Sequence, residues 1–198
     1  MCRRPLRRPG AAPYAGRVET RAALDAATAA LRATLPERRA VRRYQADDGT
    51  AQRLNAFLRG GPAVPADAEH LIAMTNTLSG VMARARLPVG LTVYRGVPDL
   101  RVVLSPGQRL PAASTQGGFL STTLDRREAI DGVMGGDERA ALLEIAVPAG
   151  AIGFWVPPLG REELAAEDEV LLARNTLLIA RRRSRIGGIL VVECEVVP

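Results

Sequence analysis

Three short segments between residues 93 and 169 of the 198-residue sequence carry side chains suited to chemistry. Residues 93–96 read Val-Tyr-Arg-Gly, residues 118–123 read Gly-Phe-Leu-Ser-Thr-Thr, and residues 167–169 read Glu-Asp-Glu. An arginine offers phosphate groups a planar, permanently charged donor, and a carboxylate can accept a proton or stabilise positive charge. Each segment alone also has a structural interpretation, as a surface strand, a strand of small residues or a solvated loop. The signal therefore lies in their combination and order.

A second Glu-x-Glu sequence occurs near the end of the chain, at residues 193–195. It falls within an alternating apolar run, 189–197, in which Glu193 and Glu195 share a face with apolar side chains. Because no loop precedes these carboxylates, we predict that they lie on a fraying, solvated strand and take no part in a site.

The composition excludes several other kinds of site. The only histidine is His70, so we expect neither a Ser-His-Asp triad nor a histidine-based metal site. Cys2 and Cys194 are too few, and too far apart in sequence, for a zinc site or a disulfide framework. We therefore expect no bound metal.

The positively charged side chains of the protein are all arginine. All 27 basic residues are arginine, and the net charge is +6. Apart from clusters at residues 3–8 and 181–185 the arginines are scattered along the chain. We interpret them as solvated surface charge and do not expect nucleic acid as a partner, with RNA or an acidic protein as the alternative.

The chain shows no sign of a membrane segment. No apolar run approaches the roughly 20 residues of a spanning helix, and the basic start lacks the apolar stretch of a cleaved secretory signal. We expect no membrane partner and delivery by a route that needs no cleaved signal. The composition of residues 1–16, rich in Arg, Pro, Gly and Ala, predicts a flexible basic arm or linker, and residues 17–198 are predicted to form a single domain.

Helices precede strands along this domain. Apolar spacing predicts a helix over 20–35 ended by Pro36, a helical continuation to Tyr44, and further helices over 50–58 and 67–82. From Pro88 onward, short apolar runs separated by Gly and Pro indicate strands. The predicted strands are 91–95, 118–122, 141–145, 152–155, 170–173, 176–182 and 189–197, with a short helix at 126–130. A helical part, 17–87, followed by a strand-rich part, 88–198, indicates an α+β fold.

The order of the three segments resembles the ADP-ribosyltransferase exoenzymes, the family of the actin- and Rho-modifying bacterial toxins. That family carries an arginine strand, a Ser-Thr-Ser strand and a Glu-x-Glu or Gln-x-Glu loop, which here correspond to residues 94–96, 121–123 and 167–169. The family pattern is also matched at Tyr44, at residues 54–55 and 58–60, and at turns over 104–107 and 146–150. Thr123 in place of the second serine is a departure. The resemblance runs from about residue 40 to residue 195.

The resemblance implies a fold, a co-substrate and a set of site residues. The fold is N-terminal helices followed by a mostly antiparallel two-sheet β core, and the co-substrate is NAD. Glu169 would accept a hydrogen bond from the ribose as nicotinamide leaves, and Ser121 would hold its carboxylate. Gly96 would approach the nicotinamide closely because it has no side chain. The remaining residues implied at the NAD site are Arg95, Arg59 and Asn55 near the phosphates and ribose, together with Tyr44, Thr122 and Phe119.

The resemblance also implies what receives the ADP-ribose. In the family, Glu at the position of Glu167 accompanies arginine acceptors, and such a residue must align the guanidinium and accept its proton. We therefore expect a toxin or effector domain, secreted as such or as part of a larger toxin, that modifies a protein on arginine. An immunity protein is a further partner that such a toxin implies. The alternatives are NAD glycohydrolysis at the same site and a non-catalytic binding module of the same fold.

Overall fold

The computed structural model of the protein describes residues 15–61, 65–104, 107–133 and 139–197. The helices are α1 Ala15–Ala30, α2 Leu35–Tyr44, α3 Thr50–Leu58, α4 Pro65–Arg84 and α5 Arg126–Asp131. The strands are β1 Leu91–Val97, β2 Ala112–Gln116, β3 Leu120–Thr123, β4 Ala141–Val147, β5 Gly153–Trp155, β6 Glu169–Leu172, β7 Thr176–Ile186 and β8 Ile189–Val197. The predicted order, helices first and strands afterwards, is confirmed. No described helix is both long enough and apolar enough to cross a membrane.

The boundary between α1 and α2 differs from the prediction. The backbone N–H of Thr34 donates to the Glu37 carboxylate at 2.8 Å, and the Thr34 hydroxyl accepts from the Glu37 N–H at 3.4 Å, which forms a capping box. Pro36 lies in the first turn of α2, where a missing N–H costs no intrahelical hydrogen bond. The expectation that Pro36 ends a helix was therefore wrong, because this proline stands near the start of one.

The strands form one eight-stranded sheet in the order β2-β7-β8-β4-β1-β3-β6-β5. Neighbours are antiparallel except for β4 and β8. The expected α+β fold is confirmed, but the expected two sheets are one. The strands β2-β7-β8-β4-β1 join the strands β3-β6-β5 through one residue pair, Tyr94 of β1 with Thr123 of β3. The sequence did not reveal β2, because its residues Ala-Ala-Ser-Thr-Gln carry no apolar alternation.

Two apolar cores hold the sheet from its opposite faces. Successive residues of β6 point to opposite sides, so Leu171 packs with the helices α2–α4 while Leu172 packs with the core formed by β1, β4 and β8. Each such fully buried aliphatic side chain stabilises the fold by about 1.5–3 kcal/mol. Since β6 is fixed on both faces, the residue that begins it, Glu169, has a defined position.

Helix α1 docks on β5 at the edge of the sheet. Leu24 is fully buried, the Thr28 hydroxyl donates to the Trp155 carbonyl at 3.1 Å, and the Trp155 indole N–H donates to Asp25 at 2.9 Å. Phe154 and Trp155 are thus core residues of the sheet. The predicted basic arm lies almost entirely outside the described residues.

The second Glu-x-Glu sequence lies inside the sheet and not at a frayed end. Strand β8 pairs with β7 on one side and with β4 on the other. Glu193 accepts from Arg182 at 2.9 Å, and Glu195 is paired with Arg181. The prediction of a fraying strand was wrong, since two neighbouring strands and two ion pairs hold this segment.

Candidate active site

A cavity of about 490 Å³ opens where β1, β3 and β6 meet the helices α2, α3 and α5. Its walls contain nearly all the residues that the sequence singled out, although they come from six different elements. The predicted residues that line it are Tyr44, Asn55, Arg59, Arg95, Gly96, Ser121, Thr122, Glu167 and Glu169. Phe119 does not line the cavity.

Glu169, the first residue of β6, is buried with 7% of its surface exposed. On the neighbouring strand it lies opposite Thr123 and diagonal to Ser121, close enough for side chains to meet. Its Oε1 accepts from the Ser121 hydroxyl at 2.6 Å, and its Oε2 accepts from the Gln45 amide at 2.8 Å. Burial raises the pKa of Glu169, against the lowering effects of these two hydrogen bonds and of Arg95. Each oxygen keeps a lone pair for a ligand.

Glu167 reaches the same cavity by a turn rather than by an extended strand. It is the last residue of a 3-10 helix, Glu162–Glu167, and Asp168 then adopts the left-handed conformation with φ of 52°. The two glutamates therefore reach the same cavity through a left-handed turn at Asp168, and not because they alternate along an extended strand. Asp is one of the residues that tolerate this conformation. Burial raises the pKa of Glu167, and the nearby carboxylates of Glu169, Glu128 and Asp47 raise it further.

The turn at Asp168 is held from two sides. Its carbonyl accepts from the backbone N–H of Leu124 at 3.0 Å, and its buried carboxylate is paired with Arg21 of α1. Helix α1 therefore supports the loop that carries both glutamates.

The small hydroxyl residues of β3 all hold the strand or loop opposite them. The Thr123 hydroxyl donates to the Glu167 carbonyl at 2.6 Å and accepts from the Asp125 N–H at 2.8 Å. The Thr122 hydroxyl donates to the Val170 carbonyl at 2.7 Å. Thr123, which departs from the family's serine, thus uses its hydroxyl as a serine would.

Two guanidinium groups face this cavity together with the two glutamates. Arg95 donates to the Ser121 carbonyl at 2.6 Å, and burial lowers its pKa, with the like charge of Arg59 acting in the same direction. Arg59 is exposed at the end of α3. A cavity with positive and negative groups side by side suits a ligand that carries both phosphate and a centre of developing positive charge.

Tyr44 and Asn55 form the buried helical wall of the cavity. The Tyr44 hydroxyl accepts from the Asn55 amide at 2.9 Å, and burial raises the pKa of Tyr44 to about 12. Among the described residues, no group bonds the buried Asn55 Oδ1, which leaves an acceptor for a ligand. A Cβ at Gly118 would lie 2.4 Å from this oxygen, so glycine is needed there. Phe119 packs edge-on against Tyr44, with ring centres 6.1 Å apart, and reaches the cavity only through it.

Gly96 is required for a reason that the sequence did not suggest. A Cβ at this position would lie 2.5 Å from the Ala129 carbonyl and 2.8 Å from a Val133 methyl group. The absence of a side chain therefore lets α5 pack directly against β1. The helix in turn places Glu128 at the cavity.

Sequence reasoning missed Gln45, which follows the matched Tyr44 directly and contacts Glu169. It also missed Asp47, Gln52 and Glu128, which line the cavity. The only signal for Gln45 in the sequence was its position next to the matched Tyr44. Its hydrogen bond is made to Glu169, which lies on a strand more than a hundred residues away in sequence.

The model of the ADP-ribosyltransferase exoenzyme family matches residues 22–187 of this chain. The match covers most of the sequence and all the segments that build the cavity, and the chain therefore belongs to this family. The fold agrees with that assignment.

Three solved structures illustrate the similarity in fold. Plx2a, an ADP-ribosyltransferase toxin from Paenibacillus larvae, superposes with a TM-score of 0.71 at 18% identity, over 92% of this chain and 97% of that one. C3stau2 from S. aureus, solved with NAD, gives 0.71 at 16% identity, over 91% and 95%. The Vibrio splendidus Vis toxin, solved with agmatine, gives 0.68 at 18% identity, over 96% and 88%.

A curated relative of another kind shares a shorter stretch. The chain is 30% identical over 108 residues to 2-C-methyl-D-erythritol 2,4-cyclodiphosphate synthase from Thermosynechococcus vestitus, which covers 54% of this chain and 60% of that enzyme. The chain thus spans less than two thirds of that relative, whereas the exoenzyme family model spans 22–187. Among the described residues, no group of three or more His, Cys, Asp and Glu side chains is placed to hold a metal ion.

Proposed function

We propose that the protein is a mono-ADP-ribosyltransferase toxin or effector domain that transfers ADP-ribose from NAD to an arginine of a protein acceptor. The observation that carries the proposal is the setting of Glu169. It is buried, held on both oxygens by neutral donors, and shares one cavity with Arg95 and Glu167. This combination offers a carboxylate for the sugar, a cation for phosphate and a base for the acceptor.

The cavity residues fit NAD by their chemistry. Arg95 and Arg59 supply the guanidinium groups that the pyrophosphate dianion requires, and Arg95 is fixed by the Ser121 carbonyl. The unbonded Oδ1 of Asn55 requires a donor, which a ribose hydroxyl or a carboxamide N–H would provide. That the similar C3stau2 was solved with NAD supports this assignment.

Glu169 acts on the bond between nicotinamide and ribose. Its carboxylate accepts a hydrogen bond from the ribose and stabilises the positive charge that develops at the anomeric carbon as the bond breaks. The bonding electron pair leaves with nicotinamide, which departs as a neutral molecule. Ser121 keeps the carboxylate in place during this step.

Glu167 acts on the acceptor. The arginine nitrogen attacks the anomeric carbon and forms the new C–N bond, and the proton that it loses passes to the Glu167 carboxylate. Glu128 and Asp47 line the same cavity and add negative charge that favours a guanidinium there. The agmatine in the Vis structure carries such a guanidinium, which supports an arginine-type acceptor for this chain.

Tagged NAD incubated with host and bacterial lysates, and separately with agmatine, tests the proposal. We expect discrete labelled protein bands and ADP-ribosyl-agmatine with the wild type. We expect both labelling and nicotinamide release to fall at least about a hundredfold in Glu169→Gln, because the charged oxygen is lost. Nicotinamide release without any labelled acceptor would instead indicate a glycohydrolase. Near-normal release by Glu169→Gln would refute the assigned role of this residue.

A further inference from the structure

Gln45 bridges the catalytic carboxylate and the loop 156–161 that follows β5. It lies at the C-terminal cap of α2. Its side-chain N–H donates to Glu169 Oε2 at 2.8 Å, and its side-chain oxygen accepts from the backbone N–H of Arg161 at 2.8 Å. Both ends of one amide are therefore used, each on a different segment.

The orientation of this amide is dictated by its two partners. An ionised carboxylate only accepts hydrogen bonds, and a backbone N–H only donates them. A reversed amide would place oxygen against oxygen and N–H against N–H. A side chain of this length that serves both partners must therefore be glutamine, or a glutamic acid that carries a proton.

The loop 156–161 is itself fixed to α2. Arg42 donates to the Gly160 carbonyl at 3.1 Å, and Arg38 donates to the Pro158 carbonyl at 2.9 Å. A Cβ on Gly160 would lie 2.3 Å from the Gln45 oxygen, so only glycine lets the loop come this close. The backbone of the loop 156–161 thus holds the side chain of Gln45 in place, and Gln45 in turn holds Glu169.

We propose that Gln45 is a positioning residue for Glu169, which sets the rotation of the carboxylate and links it to the loop 156–161. Ser121 of β3 holds one oxygen, and Gln45 at the end of α2 holds the other. The plane of the carboxylate is therefore fixed by two donors from different elements. Preorganisation of this kind favours a transition state because the group need not reorient during the reaction. The inference rests on the proposed function, since it assigns Glu169 to the cleavage of NAD.

Gln45→Met tests the inference, because methionine matches the length of glutamine but can neither donate to Glu169 nor accept from Arg161. We expect kcat for nicotinamide release to fall roughly 10- to 100-fold, the rate equivalent of one hydrogen bond to a charged group. KM for NAD should stay within about twofold, since Gln45 does not hold the phosphates. The acid limb of the kcat profile should move to higher pH, because the loss of a donor disfavours the ionised Glu169.

Gln45→Glu gives a second readout, in which activity should be lost at high pH rather than at low pH. Only the protonated glutamic acid can donate to Glu169, so this variant should lose activity as pH rises and its proton leaves. We expect its pH–rate profile to gain an alkaline limb that the wild type lacks. A residue with a purely structural role would lower activity evenly across pH.

Gln116→Met is the matched control, since the Gln116 amide also forms a hydrogen bond, to the Ser114 hydroxyl at 3.0 Å, but on the edge strand β2. It should keep wild-type kcat and pH dependence. If Gln45→Met keeps the wild-type kcat and pH profile, or changes only KM, the role of Gln45 is overturned while the proposed function stands. Absence of nicotinamide release by the wild type would overturn the proposed function and this inference with it. If Gln45→Met does not fold, the pH profile of Gln45→Glu decides.

Discussion

Glu-x-Glu occurs twice in the protein, at residues 167–169 and 193–195, and the two copies lie in different surroundings. Glu169 is buried and bonded by the neutral donors Ser121 and Gln45. Glu193 and Glu195 are partly exposed on β8 and are paired with arginines of the adjacent strand β7. Glu169 of the first copy thus has neutral partners, whereas both glutamates of the second copy have charged partners.

The kind of partner decides what a carboxylate can do. An arginine neutralises the negative charge of the carboxylate that it pairs with, as Arg182 does at Glu193 and Arg181 at Glu195, so that carboxylate has little charge left to act on a ligand. A hydroxyl or amide fixes the geometry but leaves the negative charge in place, and in a buried site that charge acts strongly on a nearby cation. Neutral support of a buried carboxylate is therefore the feature that separates the site from the structural copy.

Glu167→Gln should give the largest contrast between the two halves of the reaction. The amide cannot accept the proton of an arginine, so transfer to agmatine should fall roughly a hundredfold or more. Nicotinamide release should change less than about threefold, because Glu169 and its two donors remain. Parallel assays of free nicotinamide and ADP-ribosyl-agmatine measure both quantities. Equal losses in the two assays would remove the proposed role of Glu167 as a base.

The pH dependence of transfer should separate the two glutamates further. Burial and the surrounding carboxylates raise the pKa of Glu167 above its ordinary value of 4.5, so it gains a proton as pH falls through this raised value. The ratio of agmatine transfer to nicotinamide release should therefore decrease as pH is lowered from neutral toward 4.5. The ratio corrects for Glu169, on which both steps depend. In Glu167→Gln it should be independent of pH, and a persisting slope would assign the effect to another group.

The double variant Glu193→Gln, Glu195→Gln should have the smallest effect. Exposed ion pairs contribute little to stability, so Tm should change by no more than about 2 °C and both activities should stay at the wild-type level. Differential scanning fluorimetry and the two assays above provide the measurement. A large loss of transfer here would mean that the copy on β8 contributes to acceptor binding.

The sequence was sufficient where a local pattern determines the structure. Short apolar runs located β1, β3 and β6, and family motifs on or beside them predicted Arg95, Ser121 and Glu169 as site residues. Since these strands pair as neighbours in the sheet, the motif residues meet at one cavity.

The remainder of the site depends on long-range contacts that no local pattern shows. Gln45 acquires its role from Glu169, and Asp168 is held by Arg21 of the first helix. The position of β8 inside the sheet follows from a parallel pairing with β4, which leaves no mark on its own alternation. Pro36 was misinterpreted because proline both ends helices and begins them, and only the capping box distinguishes the two cases.

The docking of α1 gives the protein a natural optical reporter. Trp155 is the only tryptophan in the chain, and its buried indole N–H is bonded to Asp25 of α1. Its strand, β5, pairs with β6, which begins at Glu169, and the same helix supports the intervening turn through Arg21. Tryptophan fluorescence therefore comes from one known place beside the loop that carries Glu167 and Glu169. Release of α1 would expose the indole to water and shift its emission to longer wavelength, so that the state of this helix can be followed without any added label.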